Sequence, residues 1–207
     1  MQRVCRSTIL FAAGICIAMP ALGRAQALPP ATARRDGVGL ALTYAAQRSN
    51  TSGTGAGFWL QGIAAEADIP ATRGLNTRLS LVADLAYGHN GGIGSGVALD
   101  SLSVTAGPRL LQRVPYRGKI HLTAFAEVLG GVEHGYNSVF LANGGVAGSA
   151  TSFALITGGG LDLSASHRLG LRVVQVDYVR SQLPNGYANA QNDLRIASGL
   201  TLRFGKH

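Results

Sequence analysis

Residues 194–204 alternate with a period of two. Leu194, Ile196, Leu200, Leu202 and Phe204 share one parity, while Arg195, Thr201 and Arg203 take the other. Successive side chains of a strand leave opposite faces, so this segment has one apolar and one cationic side. Such a strand suits a closed sheet with hydrocarbon outside and a polar lumen within. Similar segments recur along the chain, and they constrain its fold more than any motif does.

The N-terminus reads as an export signal over residues 1–27. Arg3 and Arg6 give a positive start, Ile9 to Ala18 an apolar run, and Ala25-Gln26-Ala27 a small-x-small cleavage site. Residues 28–35 then form a short periplasmic leader, and 36–207 a single barrel domain. Both cysteines, Cys5 and Cys16, fall in the removed piece, so disulfide and thiol chemistry are not expected.

The formal charge of the whole chain is +8. Removing Arg3, Arg6 and Arg24 leaves 15 basic against 10 acidic residues. That excess is dispersed, without the basic run or aromatic-basic platform that nucleic acid requires. Beyond residue 27 no segment has about 18 consecutive uncharged apolar residues, which argues against a spanning helix. The 29 glycines and the Asn- and Ser-rich interruptions fit strands and turns.

Eight strands are expected. They fall near 37–48, 58–67, 79–88, 97–111, 119–130, 152–162, 168–180 and 194–204. In the third, Leu79, Leu81, Ala83, Leu85 and Tyr87 face outward, leaving Ser80, Asp84 and Gly88 inward. Pro108 in the fourth donates no ladder hydrogen bond, so it marks a bulge or the strand's periplasmic end. The stretch 131–151 has no period and reads as the largest exposed loop. In the seventh strand the apolar parity switches between Val173 and Val174, which a bulge there reconciles. Four long loops alternate with three short turns, as in an all-β, antiparallel, up-and-down transmembrane barrel. In lipid such a sheet must close, because open edge groups cost several kcal/mol each.

With the export signal, Gly107-Pro108-Arg109, the Arg172–Tyr178 stretch and the strand ending at Phe204, the chain resembles small outer-membrane β-barrel proteins of the OmpA-like and opacity-protein-like class. The resemblance implies the bacterial outer membrane, surrounding outer-membrane lipids, and insertion by the outer-membrane assembly machinery. That machinery reads a terminal strand often ending in an aromatic residue; here Gly205, Lys206 and His207 follow Phe204.

Candidate functional residues form three groups. Glu66, Asp84, Arg109, Glu127, Asp177 and Arg195, with Arg172 beside them, fall on inward parity. An eight-stranded interior is only wide enough for side chains or one small ligand, so these should form a structural polar network that plugs it. Trp59, Tyr87, Phe153, Tyr178 and Phe204 are placed to form aromatic girdles. Glu133, His134 and Ser138 are the only local set that invites acyl transfer. Adjacent Glu133 and His134 point apart in a strand, however, and no nucleophile elbow accompanies them. No histidine spacing suits a metal and no cofactor is expected. Gly91–Gly96 lacks the lysine and helix of a phosphate loop and reads as a hairpin tip.

The expectation is therefore a monomeric structural barrel that displays loops to an unidentified surface ligand, without catalysis or a wide pore. A soluble exported β-barrel binding module and an outer-membrane lipid hydrolase using His134 and Ser138 are the alternatives.

Overall fold

The computed structural model of the chain describes residues 37–50, 57–72, 76–92, 98–114, 121–142, 145–164, 166, 168–184 and 190–204. The chain divides into units 1–32 and 33–207, and all described residues lie in the second. The expected signal and leader therefore lie outside the described residues.

Eight strands run β1 Val38–Asn50, β2 Gly57–Pro70, β3 Thr77–Asn90, β4 Leu99–Val114, β5 His121–Ala142, β6 Gly145–Ser164, β7 Leu169–Ser181 and β8 Gln191–Phe204. Each pairs antiparallel with its sequence neighbour, and β1 pairs with β8 from Val38↔Phe204 to Arg48↔Leu194, so the sheet is a closed barrel. Closure gives every strand two partners and removes the edge an open sheet would expose.

Parity sets the two surfaces. Leu42, Leu81 and Leu200 point out and are more than half exposed, whereas Asp84, Glu127, Asp177 and Arg195 point in and are buried. Apolar side chains cover the outside and charged ones fill the inside, the reverse of a water-soluble core.

The switch in β7 is a bulge. Val173 and Val174 are consecutive, yet the register passes from Leu161↔Val174 to Asp162↔Arg172, leaving Val173 as the extra residue. The β8 side shows the same step between Arg172 and Gln175. Leu171 below it, Val173 in it, and Val176 and Tyr178 above it can then all face outward.

Two sequence expectations are corrected. The supposed loop 131–151 is mostly strand: β5 and β6 continue as a two-stranded ribbon to Ala142↔Gly145, with a register shift between Tyr136 and Phe140. Beyond Tyr136, the last residue of β5 paired to β4, the ribbon projects six more residues, roughly 20 Å. Its Gly, Ala and Ser residues give neither face a distinct hydrophobicity, so alternation vanished although the strand did not. Pro108, in turn, neither ends β4 nor bulges it. The ladder to β5 skips Gly107 and Pro108, but the register is the same on both sides, Ala106↔Gly130 and Arg109↔Glu127, and β4 continues to Val114.

Candidate functional site

The strands bring the inward charges into one connected group. Arg109 sits on β4 opposite Glu127 on β5. Its Nε donates to Glu127 Oε2 at 2.6 Å and its Nη2 to Glu66 Oε2 at 2.5 Å. Arg172, just below the β7 bulge, donates from Nη1 to that same Glu66 oxygen at 2.5 Å and from Nε to Asp162 Oδ1 at 2.9 Å. Glu66 thus joins two guanidiniums carried by strands on different sides of the barrel.

Gln175 links this cluster to the next. Its Oε1 accepts from Arg172 at 2.7 Å, and its Nε2 lies 2.9 Å from both Glu127 Oε1 and Asp177 Oδ2. Asp177 in turn accepts from Arg195 Nε at 3.0 Å, and Arg195 Nη1 reaches Asp84 Oδ2 at 3.1 Å. Phe125 lies under both central arginines, its ring centroid 4.4 Å from Arg109 Cζ and 4.6 Å from Arg172 Cζ. A cation held over a ring face in a desolvated site gains on the order of 2 kcal/mol.

A slot in β6 makes room for that ring. A Cβ added at Gly160 would run into the Val174 carbonyl oxygen and stand 2.8 Å from Phe125 Cζ. The glycine run Gly158–Gly160 is therefore a matter of close packing within the strand.

All six residues assigned inward from the sequence belong to this group, and Arg172 joins them. The sequence reading missed Asp162 and Gln175. Asp162 stood near the expected end of a strand, and Gln175 carries no charge to mark it. Three guanidiniums face five carboxylates here, packed into one part of the lumen. Two small spaces lie among the described residues: about 10 Å³ next to Glu66, Arg109 and Arg172, and about 20 Å³ near Gln47, Ser101 and Arg195. Each is room for about one water. An apolar cluster of Val82, Leu129, Ile156 and Val179 fills more of the interior.

Nearer the loops, Ser101 Oγ donates to buried Glu133 at 2.5 Å, and Gln47 Nε2 to Asp193 at 2.7 Å. On the outer surface Asp100 accepts from Tyr87 Oη at 2.8 Å and from Asn137 Nδ2 at 2.5 Å, while His89 Nδ1 lies 2.7 Å away. Asn137 has a positive φ of 57° at the register shift of β5, a conformation asparagine tolerates well. Asp100 thereby ties the base of the projecting ribbon to β3 and β4. Nothing in the local sequence distinguished it.

Glu133 and His134 of the Glu133, His134 and Ser138 set point to opposite faces of β5. Glu133 is buried in the lumen, whereas His134 lies on the outer face with Nδ1 2.7 Å from Thr151 Oγ1 and its ring stacked on Tyr136. Among the described residues no group of three or more His, Cys, Asp or Glu could hold a metal. In the Gly91–Gly96 segment, residues 93–96 lie outside the described residues.

The aromatic residues Trp59, Tyr87, Phe153, Tyr178 and Phe204 all project outward and are exposed. Trp59, Tyr87 and Tyr178 stand toward the loop ends of their strands, and Phe204 at the opposite end of β8.

The chain superimposes on Neisserial surface protein A with a TM-score of 0.52 and 15% identity, over 81% of this chain and 97% of that one. The fold resembles that of small outer-membrane β-barrel proteins. The attachment invasion locus protein Ail of Yersinia pestis, an outer membrane protein, matches with a TM-score of 0.49 and 16% identity, over 82% of this chain and 99% of that one. No family model matches the sequence, and no curated protein matches it significantly. The likeness is one of architecture.

Proposed function

We propose that this chain is a monomeric bacterial outer-membrane protein whose barrel is inserted by the outer-membrane assembly machinery and holds its loops and the β5–β6 ribbon outside the cell, with no catalytic step and no wide pore. One observation carries the reading: the outer surface is apolar while the charges are inside. Exposed Leu42, Ile63, Leu81, Val104, Val128, Leu161, Leu171 and Leu200, one from each strand, encircle the barrel. An apolar belt of that extent on a soluble module would drive aggregation. In hydrocarbon it is the surface required.

Supporting this, the strands have 13 to 22 residues, more than the roughly ten a tilted strand needs to cross a bilayer. The exposed aromatics fit girdles at the two interfaces. The paired charges argue against a wide channel, since ions would have to pass through side chains already bonded to one another. The projecting ribbon is the natural contact surface, with Val139, Leu141 and Val146 exposed near its tip.

Membrane fractionation with detergent release, scored by heat-modifiable migration on gels, tests the location. Single-channel recording tests the plug: rare small openings are expected, and a steady large conductance would overturn the plugged reading. Hydrolysis of lipid esters by the wild type that is lost in H134A or S138A would overturn the non-catalytic one.

A further inference from the structure

We infer that the loop-side rim of β7, β8, β1 and β2 binds the phosphate of a membrane lipid headgroup, with Arg48 and Arg180 as its cationic ligands. This rests on the membrane reading above and assigns one sector of the barrel a defined lipid chemistry.

Arg48 and Arg180 both project outward and are exposed. Arg48 is opposite Leu194 on β8 and Trp59 on β2; Arg180 is opposite Asn192 on β8. In the sheet register their α-carbons are offset by two residue pairs, one step along the same face, and the path of the Arg48 side chain removes that offset. Its guanidinium rises over the Trp59 ring, 5.6 Å from the centroid, and lies beside Gly57, which pairs with Asn50 one row higher. A Cβ at Gly57 would stand 2.5 Å from both Arg48 Cζ and Nε, so the absent side chain is the berth the guanidinium occupies.

The Arg48 guanidinium and the Arg180 α-carbon therefore fall on one register row across a sector of four strands, roughly 14 Å wide at about 4.8 Å per strand, which the Arg180 side chain can reach into. Between them lies Asn192, whose Oδ1 accepts from Tyr178 Oη at 2.5 Å, leaving its amide nitrogen as a further donor. Directly below are Tyr178, Leu194 and Trp59, the upper margin of the apolar belt, so the row sits at headgroup height.

Charge decides the sign of the ligand. Among the described residues Asp100 is the one acid on the outer face, and it lies on β4, three strands from either arginine. The outer face of this sector holds cations and donors without a carboxylate; Asp193, next to Asn192, is buried on the inner face and bonded to Gln47. Arginine forms bidentate hydrogen bonds with phosphate, and a fixed guanidinium loses less entropy in doing so than a free one. The apolar belt beneath supplies the acyl-chain contact that a free phosphate cannot use.

The test is lipid retention on the full chain folded in detergent, read by native mass spectrometry. The probes are short-chain phosphatidic acid and the diacylglycerol with the same chains. Wild type should retain phosphatidic acid at least about 10-fold better than R48Q/R180Q, and diacylglycerol retention should be low and equal in both. R48K, which keeps the charge but loses the fork, should fall between them, and G57L should weaken retention with no change of charge. Equal retention by wild type and R48Q/R180Q, equal retention of the two lipids, or displacement by an equal concentration of inorganic phosphate would each overturn the inference. Heat-modifiable migration scored on the same samples keeps the membrane reading separate: it survives those three results. A chain that folds in buffer without detergent would overturn both.

Discussion

Arg195 on β8 reaches Asp84 on β3 across the lumen, Nη1 to Oδ2 at 3.1 Å, between residues 111 positions apart in sequence. The same guanidinium is bonded to Asp177 on the neighbouring strand. One side chain therefore ties three strands from two sides of the barrel, and its neighbours have come to depend on it.

Replacing Arg195 with alanine should cost about 3–5 kcal/mol, because two buried carboxylates lose their cation at once. Urea unfolding in detergent micelles, followed by tryptophan fluorescence or gel migration, measures it. The triple variant R195M/D84L/D177L should recover much of that loss, since removing a whole buried ionic group is far cheaper than orphaning half of it. A loss below about 1 kcal/mol for R195A would show that the contact does not hold the barrel.

At Gly160 the obstacle is backbone as well as ring. G160A should destabilise by about 2 kcal/mol or more, since the new methyl group meets the Val174 carbonyl and displaces Phe125 from beneath Arg109 and Arg172. G92A, where nothing lies within 4 Å of the added carbon, is the matched control and should stay within about 0.5 kcal/mol of wild type.

The bulge offers a test by deletion. Removing Val173 leaves Leu171 and Arg172 on their present faces and rejoins them to Val174 in unbroken alternation. That variant should still assemble, with a loss of about 1–2 kcal/mol from the altered local twist. Removing Val176 instead turns either Asp177 and Val179 or Arg172 and Gln175 toward the outside and should abolish heat-modifiable folding. Equal behaviour of the two deletions would remove the structural distinction between these positions.

Asp100 holds the foot of the ribbon through Tyr87, His89 and Asn137. D100A should leave global unfolding within about 1 kcal/mol, because the site is local and lies at the rim. Hydrogen exchange should nevertheless speed by 10-fold or more at residues 137–142, without change in the lower half of β5. Uniform acceleration along the strand would contradict the local role.

How much of this was legible beforehand depended on contrast between faces. β3 and β8 place Leu, Ile and Phe against Asp, Arg and Thr, so both parity and direction could be read from them. The β7 bulge was legible for the same reason: Val173 and Val174 are both apolar and adjacent where alternation forbids it. The upper ribbon was not. From Gly135 to Leu161 there is no Asp, Glu, Lys or Arg, and apolar residues take both faces near the tip, Phe140 buried on one and Val139 and Leu141 exposed on the other, so no polar face marks the strand. Within the lumen, parity picked out the charged residues but could not pair them. That Glu66 meets Arg172, 106 positions away, follows from closure and strand stagger, which the alternation of single strands does not encode.

The pairing of β1 with β8 also has a temporal side. The first strand to emerge must wait for the last, so no N-terminal fragment can become a smaller finished cylinder. A chain cut short anywhere before Gln191 would keep one flank of Val38–Asn50 unsatisfied, and a cell would meet it as an unfinished object to be escorted or degraded.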